Sequence, residues 1–142
     1  MNHVLLAEDN AADVYLIREA LREHGVICEL HVAPDGQEVL EVLGSDAPQW
    51  RHLKLIILDL NLPRHDGIEI LERLRETGLQ HVPVVVLTSS DSQRDRDMAI
   101  HLGAARFLRK PSELEQFLKL GAVFKEILGA NAAQESAVGG EA

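Results

Sequence analysis

The chain has 142 residues and a formal net charge of −9, from 14 Lys and Arg side chains against 23 Asp and Glu side chains. This length fits one domain with one core, since a chain of about 150 residues buries roughly 68–70% of the surface that it exposes when unfolded. The acidic charge disfavours nonspecific binding to nucleic acid and to anionic membranes, because Lys and Arg make most phosphate contacts. The sequence has no secretory signal pattern and no apolar run of about 18 residues. We therefore expect a cytoplasmic protein with no membrane span, whose partners are proteins or cations.

Short apolar runs alternate with amphipathic helical patterns along the chain. The predicted strands are Val4–Ala7, Ile27–Ala33, Leu55–Leu60, Val82–Leu87 and Ala105–Arg109. The predicted helices are Ala11–His24, Gln37–Leu43, Gly67–Thr77, Gln93–Leu102 and Glu113–Leu128. The third and fourth strands are continuously apolar, which is typical of the middle of a parallel sheet, whereas the second and fifth carry polar residues and are placed nearer the edges. This order predicts an α/β fold with a doubly wound, five-stranded parallel sheet and five helices.

Each predicted helix start carries a capping signal, a polar residue followed three positions later by an acid or amide. The pairs are Asn10/Asp13, Asp35/Glu38, Asp66/Glu69, Ser90/Gln93 and Ser112/Glu115. Two segments lack a regular pattern. Residues 44–54 form a long connection, and residues 129–142 are small and polar. We expect the latter to be a disordered tail after a domain spanning residues 1–128.

Polar side chains follow four of the predicted strands at their carboxyl ends. Glu8 and Asp9 follow the first strand, and Asp59 ends the third. Thr88 follows the fourth strand and Lys110 the fifth. Because ligand sites of doubly wound sheets form beyond the carboxyl ends of the strands, we expect three carboxylates, a hydroxyl and an ammonium group in one cleft.

Such a cluster of carboxylates requires positive charge. Two unit charges about 4 Å apart repel by on the order of 4 kcal/mol at an effective dielectric constant near 20. Mg²⁺ prefers carboxylate oxygens and often binds phosphate at the same time, so we predict Glu8, Asp9 and Asp59 as its ligands, with the backbone carbonyl of Asn61 as a further one. An Asp carboxylate can itself accept a phosphoryl group. Asp59, at the end of a central strand, is the predicted acceptor.

Four motifs surround these residues. They are LLAEDN around Glu8 and Asp9, LIILDLNLPRHDG around Asp59, VVVLTSS around Thr88 and FLRKP around Lys110. In this order they resemble the receiver domains of bacterial two-component response regulators, over about residues 3 to 128. The resemblance implies a flavodoxin-like sheet with strand order 2-1-3-4-5. It also implies that a sensor histidine kinase phosphorylates Asp59 with Mg²⁺, that Thr88 and Lys110 assist, and that the protein is a phosphoacceptor which promotes its own phosphotransfer and autodephosphorylation rather than an enzyme.

The resemblance further implies a switch and an output surface. On phosphorylation Thr88 turns toward the phosphoryl oxygens, and an aromatic residue on the fifth strand, here Phe107, follows it. Many relatives have Tyr at that position, so the hydroxyl is missing here. The output face consists of helix four, strand five and helix five, and family members can form homodimers through it. In this sequence the face includes Met98, His101, Leu102, Arg106 and Phe107.

The segment AEDNAADVYLIREAL and the long connection at residues 44–54 look more particularly like stand-alone receivers associated with bacterial phytochromes. The kinase partner implied is then a bacteriophytochrome. Since only fourteen residues follow Leu128, we expect the signal to pass from the receiver surface to a downstream protein or along a phosphorelay. The alternative is a receiver-like interaction module that works without phosphorylation. A haloacid-dehalogenase-like phosphatase is disfavoured, because Asn61 stands where that family needs a second Asp as general acid.

Other polar residues have simpler interpretations. Glu8 and Asp9, taken alone, are also typical of acidic residues at a helix N-terminus, and Phe107 is equally compatible with plain core packing. The seven histidines show no metal-ligand spacing such as HExxH. We interpret them as surface or edge residues.

Overall fold

The computed structural model describes residues 2–77 and 81–129, with the exception of the side chain of Gln49. The strands are β1 (Asn2–Ala7), β2 (Cys28–Ala33), β3 (Leu53–Leu58), β4 (Val84–Thr88) and β5 (Arg106–Arg109). The helices are α1 (Ala11–Glu23), α2 (Gly36–Leu43), α3 (Gly67–Glu76), α4 (Gln93–His101) and α5 (Leu114–Leu118). A 3₁₀ helix at Pro48–His52 lies in the long connection before β3. After α5 the chain is helical again over residues 120–129.

The five strands form one parallel sheet in the order β2-β1-β3-β4-β5. The predicted order and the five-stranded, doubly wound architecture are therefore confirmed, as are the edge positions of β2 and β5. The register pairs Ala7 with Leu58, and Thr88 with Arg109. The residues that follow β1, β3, β4 and β5 consequently emerge along one side of the sheet, which we call the carboxyl rim.

The sheet separates two apolar clusters, because successive strand residues point to opposite faces. One cluster joins the sheet to Val39 of α2, Ile70 of α3 and Ala99 of α4. The other joins it to Ile17 of α1 and to Phe117 of α5. Fully burying one such aliphatic or aromatic side chain contributes about 1.5–3 kcal/mol. These two layers hold the strand ends, and hence the carboxyl rim, in fixed positions.

Three of the five predicted helix caps are confirmed. The side chains of Asn10, Asp35 and Asp66 accept hydrogen bonds from backbone N–H groups three residues later, at 3.1, 2.9 and 3.0 Å. The Ser112/Glu115 pair is not used, because α5 begins one residue later than that pair requires. Glu113 is its N-cap residue and makes no side-chain capping bond.

The predicted cap of α4 is also wrong by two residues. Ser92, not Ser90, accepts the hydrogen bond from the backbone N–H of Asp95, at 3.2 Å. Ser90 instead donates its hydroxyl proton to the Asp95 carboxylate at 2.9 Å. Ser92 is the capping residue because it directly precedes Gln93, the first residue of α4, whereas Ser90 lies two residues further away.

Several other element boundaries also differ from the prediction, and two of these differences have a clear physical reason. Strand β3 starts at Leu53 and ends at Leu58, two residues earlier than the apolar run, because charged Lys54 interrupts the pattern and Leu60 is buried from the following turn. The last helix is not continuous, since a turn at Lys119 separates α5 from residues 120–129. Gly121, a weak helix former, follows this turn. A Cβ atom there would lie 2.2 Å from the Ala20 carbonyl oxygen, so the chain passes very close to α1.

Among the described residues, no helix has the length and apolar character needed to cross a bilayer. The predicted disordered tail at residues 129–142 lies outside the described residues, apart from Gly129, which is helical.

Candidate functional site

The ammonium group of Lys110 lies inside an acidic cluster at the carboxyl rim. Its Nζ is 2.7 Å from Glu8 Oε2, 2.8 Å from Asp59 Oδ2 and 2.8 Å from Asp13 Oδ2. The side chains of Glu8 and Asp59 are almost completely buried, at 2% and 7% exposure. These are charge-assisted hydrogen bonds, which are roughly twice as strong as neutral ones. Three carboxyl groups nevertheless face one ammonium group, so negative charge is in excess.

Backbone hydrogen bonds continue past the strand ends and fix the residues of the cluster. The N–H of Glu8 donates to Ala33 at 3.1 Å, and the N–H of Asp59 donates to Ala7 at 3.0 Å. The N–H of Lys110 donates to the carbonyl of Thr88 at 2.8 Å. Each functional side chain therefore starts from a backbone position that is still held by the sheet.

Burial is the main influence on the carboxyl group of Glu8. Burial and, to a smaller extent, the neighbouring charge of Asp59 raise the pKa of Glu8, while the hydrogen bonds from Lys110 and from the backbone of Asn10 lower it, and the net result is a pKa raised from 4.5 to about 7. The group consequently binds a proton near neutral pH. A second positive charge in the cluster would favour its ionised form.

The amine of Lys110 shows the complementary effect. Burial alone would lower its pKa, but hydrogen bonds to Asp13, Asp59 and Glu8 outweigh burial and hold the pKa of Lys110 above its ordinary value of 10.5. The amine is therefore a permanent cation at physiological pH.

The donor set at the carboxyl rim fits a hard divalent cation. Carboxylate oxygens of Glu8, Asp9 and Asp59 all lie within 4.8 Å of one another. Octahedral Mg²⁺ binds oxygens at about 2.0–2.1 Å, so its ligand atoms are about 2.9 Å apart on adjacent vertices and about 4.2 Å on opposite ones. Small side-chain rotations reach this geometry, and the three carboxyl groups around Lys110 leave negative charge that a divalent cation would neutralise.

Asn61 connects the acceptor to the hydroxyl at the end of β4. Its backbone N–H donates to Asp59 Oδ1 at 3.0 Å, and its side-chain amide donates to Thr88 Oγ1 at 3.4 Å. Thr88 is fully buried, and Oγ1 also accepts the backbone N–H of Ser90 at 3.3 Å. Asn61 therefore contacts Asp59 through its backbone N–H and not through its backbone carbonyl. That the carbonyl of Asn61 binds the metal stays a prediction.

Sequence reasoning missed Asp13 as a member of the site and treated it only as the partner of the Asn10 cap. The available signal was its position in the first turn of α1, which begins directly at the carboxyl rim. In the structure Asp13 is the third carboxylate on Lys110.

Phe107 lies on β5, half-buried, and packs against the apolar cluster on the α2–α4 side of the sheet. The guanidinium carbon of Arg96 is 5.8 Å from the centre of its ring, within the range of a cation–π contact. The ring also borders a small hollow together with Ser90 and Arg109. Phe107 thus lies between the loop after Thr88 and the surface of α4.

The predicted output surface contains both apolar and charged side chains. Met98 on α4 is 38% exposed, His101 is exposed, and Leu102 is half-buried. Arg106 is exposed and forms an ion pair with Glu126 at 3.4 Å. The prediction omitted Ile100, which is 48% exposed on the same helix.

Comparison with known proteins identifies the family. The family model of the response regulator receiver domain matches residues 4–121. The chain belongs to the response regulator receiver family. It is 35% identical over 135 residues to response regulator MprA of Mycolicibacterium vanbaalenii, which covers 94% of this chain and 55% of that protein. To MprA of Mycobacterium ulcerans it is 37% identical over 115 residues, covering 81% of this chain and 46% of the relative. The chain thus spans about half the length of these curated relatives.

Solved structures support the same assignment of this receiver to two-component signalling. The phosphorylated cyanobacterial phytochrome response regulator RcpA is 32% identical, with a TM-score of 0.81, covering 92% of this chain and 95% of that one. The Mn²⁺-bound form of response regulator Rcp1 is also 32% identical, with a TM-score of 0.77, covering 85% and 89%. Response regulator RPA3017, in red light signalling of R. palustris, is 26% identical, with a TM-score of 0.73, covering 84% and 87%. The neighbours of this receiver therefore include phytochrome-associated regulators, as the resemblance implied.

Proposed function

We propose that this receiver accepts a phosphoryl group on Asp59 from a sensor histidine kinase in the presence of Mg²⁺. One observation carries the proposal: the carboxylate of Asp59 is buried at the carboxyl rim, in contact with Lys110 and within reach of Glu8 and Asp9. Phosphoryl transfer depends mainly on positioning and on neutralising the oxygens of the transferred group. A buried acceptor beside a fixed cation and a set of metal donors meets both needs.

In the proposed reaction, an Asp59 oxygen attacks the phosphorus of a phosphohistidine in line with the P–N bond. The acyl phosphate O–P bond forms as the P–N bond breaks, and the leaving imidazole takes up a proton. Glu8, Asp9 and Asp59 would hold Mg²⁺, which supplies charge neutralisation when bound. Lys110 contacts the oxygen Oδ2 of Asp59, so its ammonium group is positioned to follow the charge onto the phosphoryl oxygens.

Thr88 and Phe107 are the proposed switch. Oγ1 of Thr88 accepts its two described hydrogen bonds from Asn61 and Ser90. The hydroxyl proton is therefore the natural donor to a phosphoryl oxygen once the side chain turns toward Asp59. This movement opens space beside β4 into which the half-buried Phe107 ring can turn, and it alters the surface formed by α4 and β5.

The proposed partners are a bacteriophytochrome-type histidine kinase and a downstream protein that binds the output surface. The similarity to RcpA, Rcp1 and RPA3017 supports the kinase class. The exposed apolar residues Met98 and Ile100 support a protein contact, either with a target, a phosphorelay component or a second copy of this chain. The receiver acts as a phosphoacceptor that loses its group by autodephosphorylation, and it turns over no external substrate.

A direct test is labelling with acetyl phosphate and Mg²⁺, followed by intact-mass spectrometry. We expect one added phosphoryl group on the wild-type chain and none on Asp59→Asn. Asp46→Asn, which changes an exposed acid in the connection before β3, is the matched control and should be labelled normally. Labelling of Asp59→Asn at the wild-type rate would refute the assignment. An unlabelled wild type whose carboxyl-rim amide resonances ignore Mg²⁺ would support the phosphorylation-independent module instead.

A further inference from the structure

A second cluster of metal-binding side chains lies at the opposite ends of the strands. His3 is near the start of β1, and Glu29 and His31 are on the neighbouring strand β2. One atom from each, a ring nitrogen or a carboxylate oxygen, lies within 4.8 Å of the others. We call this group the histidine cluster. It is about 16 Å from the carboxyl rim, since five residues of strand separate His3 from Glu8 at about 3.3 Å each.

The pairing of the two strands explains how these residues meet. The register places His3 opposite Glu29 and Leu5 opposite His31. Side chains two residues apart on a strand share a face, and neighbouring strands are about 4.8 Å apart. His3, Glu29 and His31 therefore project from the same face, although 28 residues separate the two histidines in the chain.

The interpretation of all histidines as surface or edge residues is wrong for His3. Its side chain is only 13% exposed, because β1 is an interior strand and the 3₁₀ helix at Pro48–His52 packs against its start. The ring of Trp50 on that helix lies edge-on to His31, with centroids 4.7 Å apart. The indole ring shields the side of the His31 ring that it contacts from water.

The distances are close to those of a transition-metal site. His3 Nδ1 is 2.8 Å from His31 Nε2 and 3.5 Å from Glu29 Oε2. Tetrahedral Zn²⁺ binds imidazole nitrogens at about 2.0–2.1 Å, which places two ligand atoms about 3.3–3.4 Å apart. The two nitrogens need to separate by only about 0.5 Å to reach that value. A hydrogen bond between the imidazoles engages two of the three donors, whereas a divalent cation engages all three.

We propose that His3, Glu29 and His31 form a binding site for one Zn²⁺ ion per chain, distinct from the Mg²⁺ donors of the carboxyl rim. The donor types separate the two sites, because imidazole suits Zn²⁺ and its neighbours in the transition series whereas carboxylates and water suit Mg²⁺. Water completes the tetrahedron. The ion links the start of β1 to the edge strand β2.

The test is isothermal titration calorimetry of Zn²⁺ into the tag-free 142-residue chain, since a polyhistidine tag would bind the same ion. Excess Mg²⁺ in the buffer occupies the carboxylate donors at the carboxyl rim. We expect one Zn²⁺ per chain, together with a change in Trp50 emission as the neighbouring His31 ring turns. Zn²⁺ should also raise Tm, because it binds the folded state.

Zn²⁺ binding by single-residue variants tests which side chains bind the ion. We expect His31→Gln and Glu29→Gln each to weaken Zn²⁺ binding at least about tenfold, since even outer partners of metal ligands contribute 10–100-fold. His101→Gln, the same substitution at an exposed histidine on α4, should bind normally. Glu29 is exposed, so its variant tests the site even if His31→Gln fails to fold. Absence of Zn²⁺ binding in the presence of Mg²⁺, half an ion per chain, or unchanged binding by Glu29→Gln would overturn the proposal.

Discussion

The two ends of the sheet differ in the type of polar side chain that meets there. At the carboxyl rim, buried oxygens surround one ammonium group, Lys110, and burial raises the pKa of Glu8. At the other end, two imidazoles and one carboxylate meet beneath an indole ring. Strand β1 contributes to both, with Glu8 after its last residue and His3 near its first. One rigid strand thus presents hard oxygen donors at one end and nitrogen donors at the other, and the difference is set by the side chains rather than by the backbone.

The largest effect should come from removing the one cation inside the acidic cluster. Lys110→Met leaves three carboxyl groups facing one another, and breaking a buried ion pair in this way costs about 3–5 kcal/mol. We expect a loss of this size in urea unfolding at pH 8.5 with EDTA, and a smaller loss at pH 5, where Glu8, whose pKa is raised to about 7, is protonated.

Mg²⁺ should recover part of the stability of Lys110→Met, since it supplies the missing positive charge. Lys125→Met, a change at an exposed lysine, is the control and should alter stability by less than about 0.5 kcal/mol. Equal losses for the two variants would mean that the carboxyl rim is not the charged cluster described above.

A second prediction concerns how tightly the carboxyl rim is packed. A Cβ at Gly67 would lie 2.7 Å from Leu60 Cα and 2.9 Å from the Asp59 carbonyl oxygen. Gly67→Ala should therefore cost about 2–3 kcal/mol, as overpacking does, and slow the labelling of Asp59 by shifting its backbone. Gly44→Ala, whose added carbon would be 3.4 Å from its nearest neighbour, the Leu40 carbonyl oxygen, should change neither by a comparable amount. Chemical unfolding and acetyl phosphate labelling measure both effects.

The third prediction is a pH dependence at Glu8. Burial raises the pKa of Glu8 from 4.5 to about 7, so the folded protein holds a proton that the unfolded chain releases. The contribution of this group to stability is complete below about pH 4.5 and is lost as pH rises through about 7. Glu8→Gln should therefore be more stable than wild type by about 1–2 kcal/mol at pH 8.5 in EDTA.

At pH 5 the stability gain of Glu8→Gln should largely vanish, because wild-type Glu8 is then protonated and, like Gln, carries no charge. Thermal unfolding at both pH values checks this. Glu19→Gln, at an acid on α1 that pairs with Arg22, is the control and should give no such gain at pH 8.5. A gain for Glu8→Gln that is equal at both pH values would contradict the assigned cause.

The smallest effect is expected at Asp13, the carboxylate that sequence reasoning missed as a site residue. Asp13→Asn keeps the shape of the side chain and removes its charge, which weakens one of the three contacts that position Lys110. We expect about a fivefold slower labelling of Asp59, equivalent to about 1 kcal/mol, with little change in the Mg²⁺ concentration needed. A change in Mg²⁺ requirement without a change in rate would instead make Asp13 part of the metal site.

The sequence predicted the sheet and most of the carboxyl rim because both leave local signals. Continuous apolar runs mark strands covered on both faces, and the two central runs lead directly to the polar residues Asp59 and Thr88. Asp13 left a weaker signal, since capping explains it equally well. The pairing of His3 with His31 left none, because it depends on the register between two strands, which neither periodicity nor residue spacing specifies.

The Trp50 ring beside His31 has a practical consequence, because it is the only tryptophan of the chain. Its emission reports on the end of the sheet remote from Asp59. Any fluorescence response to phosphorylation must therefore be transmitted from one end of the strands to the other. Without any added label, Trp50 emission can therefore show whether phosphorylation of Asp59 changes the structure at the opposite end of the sheet.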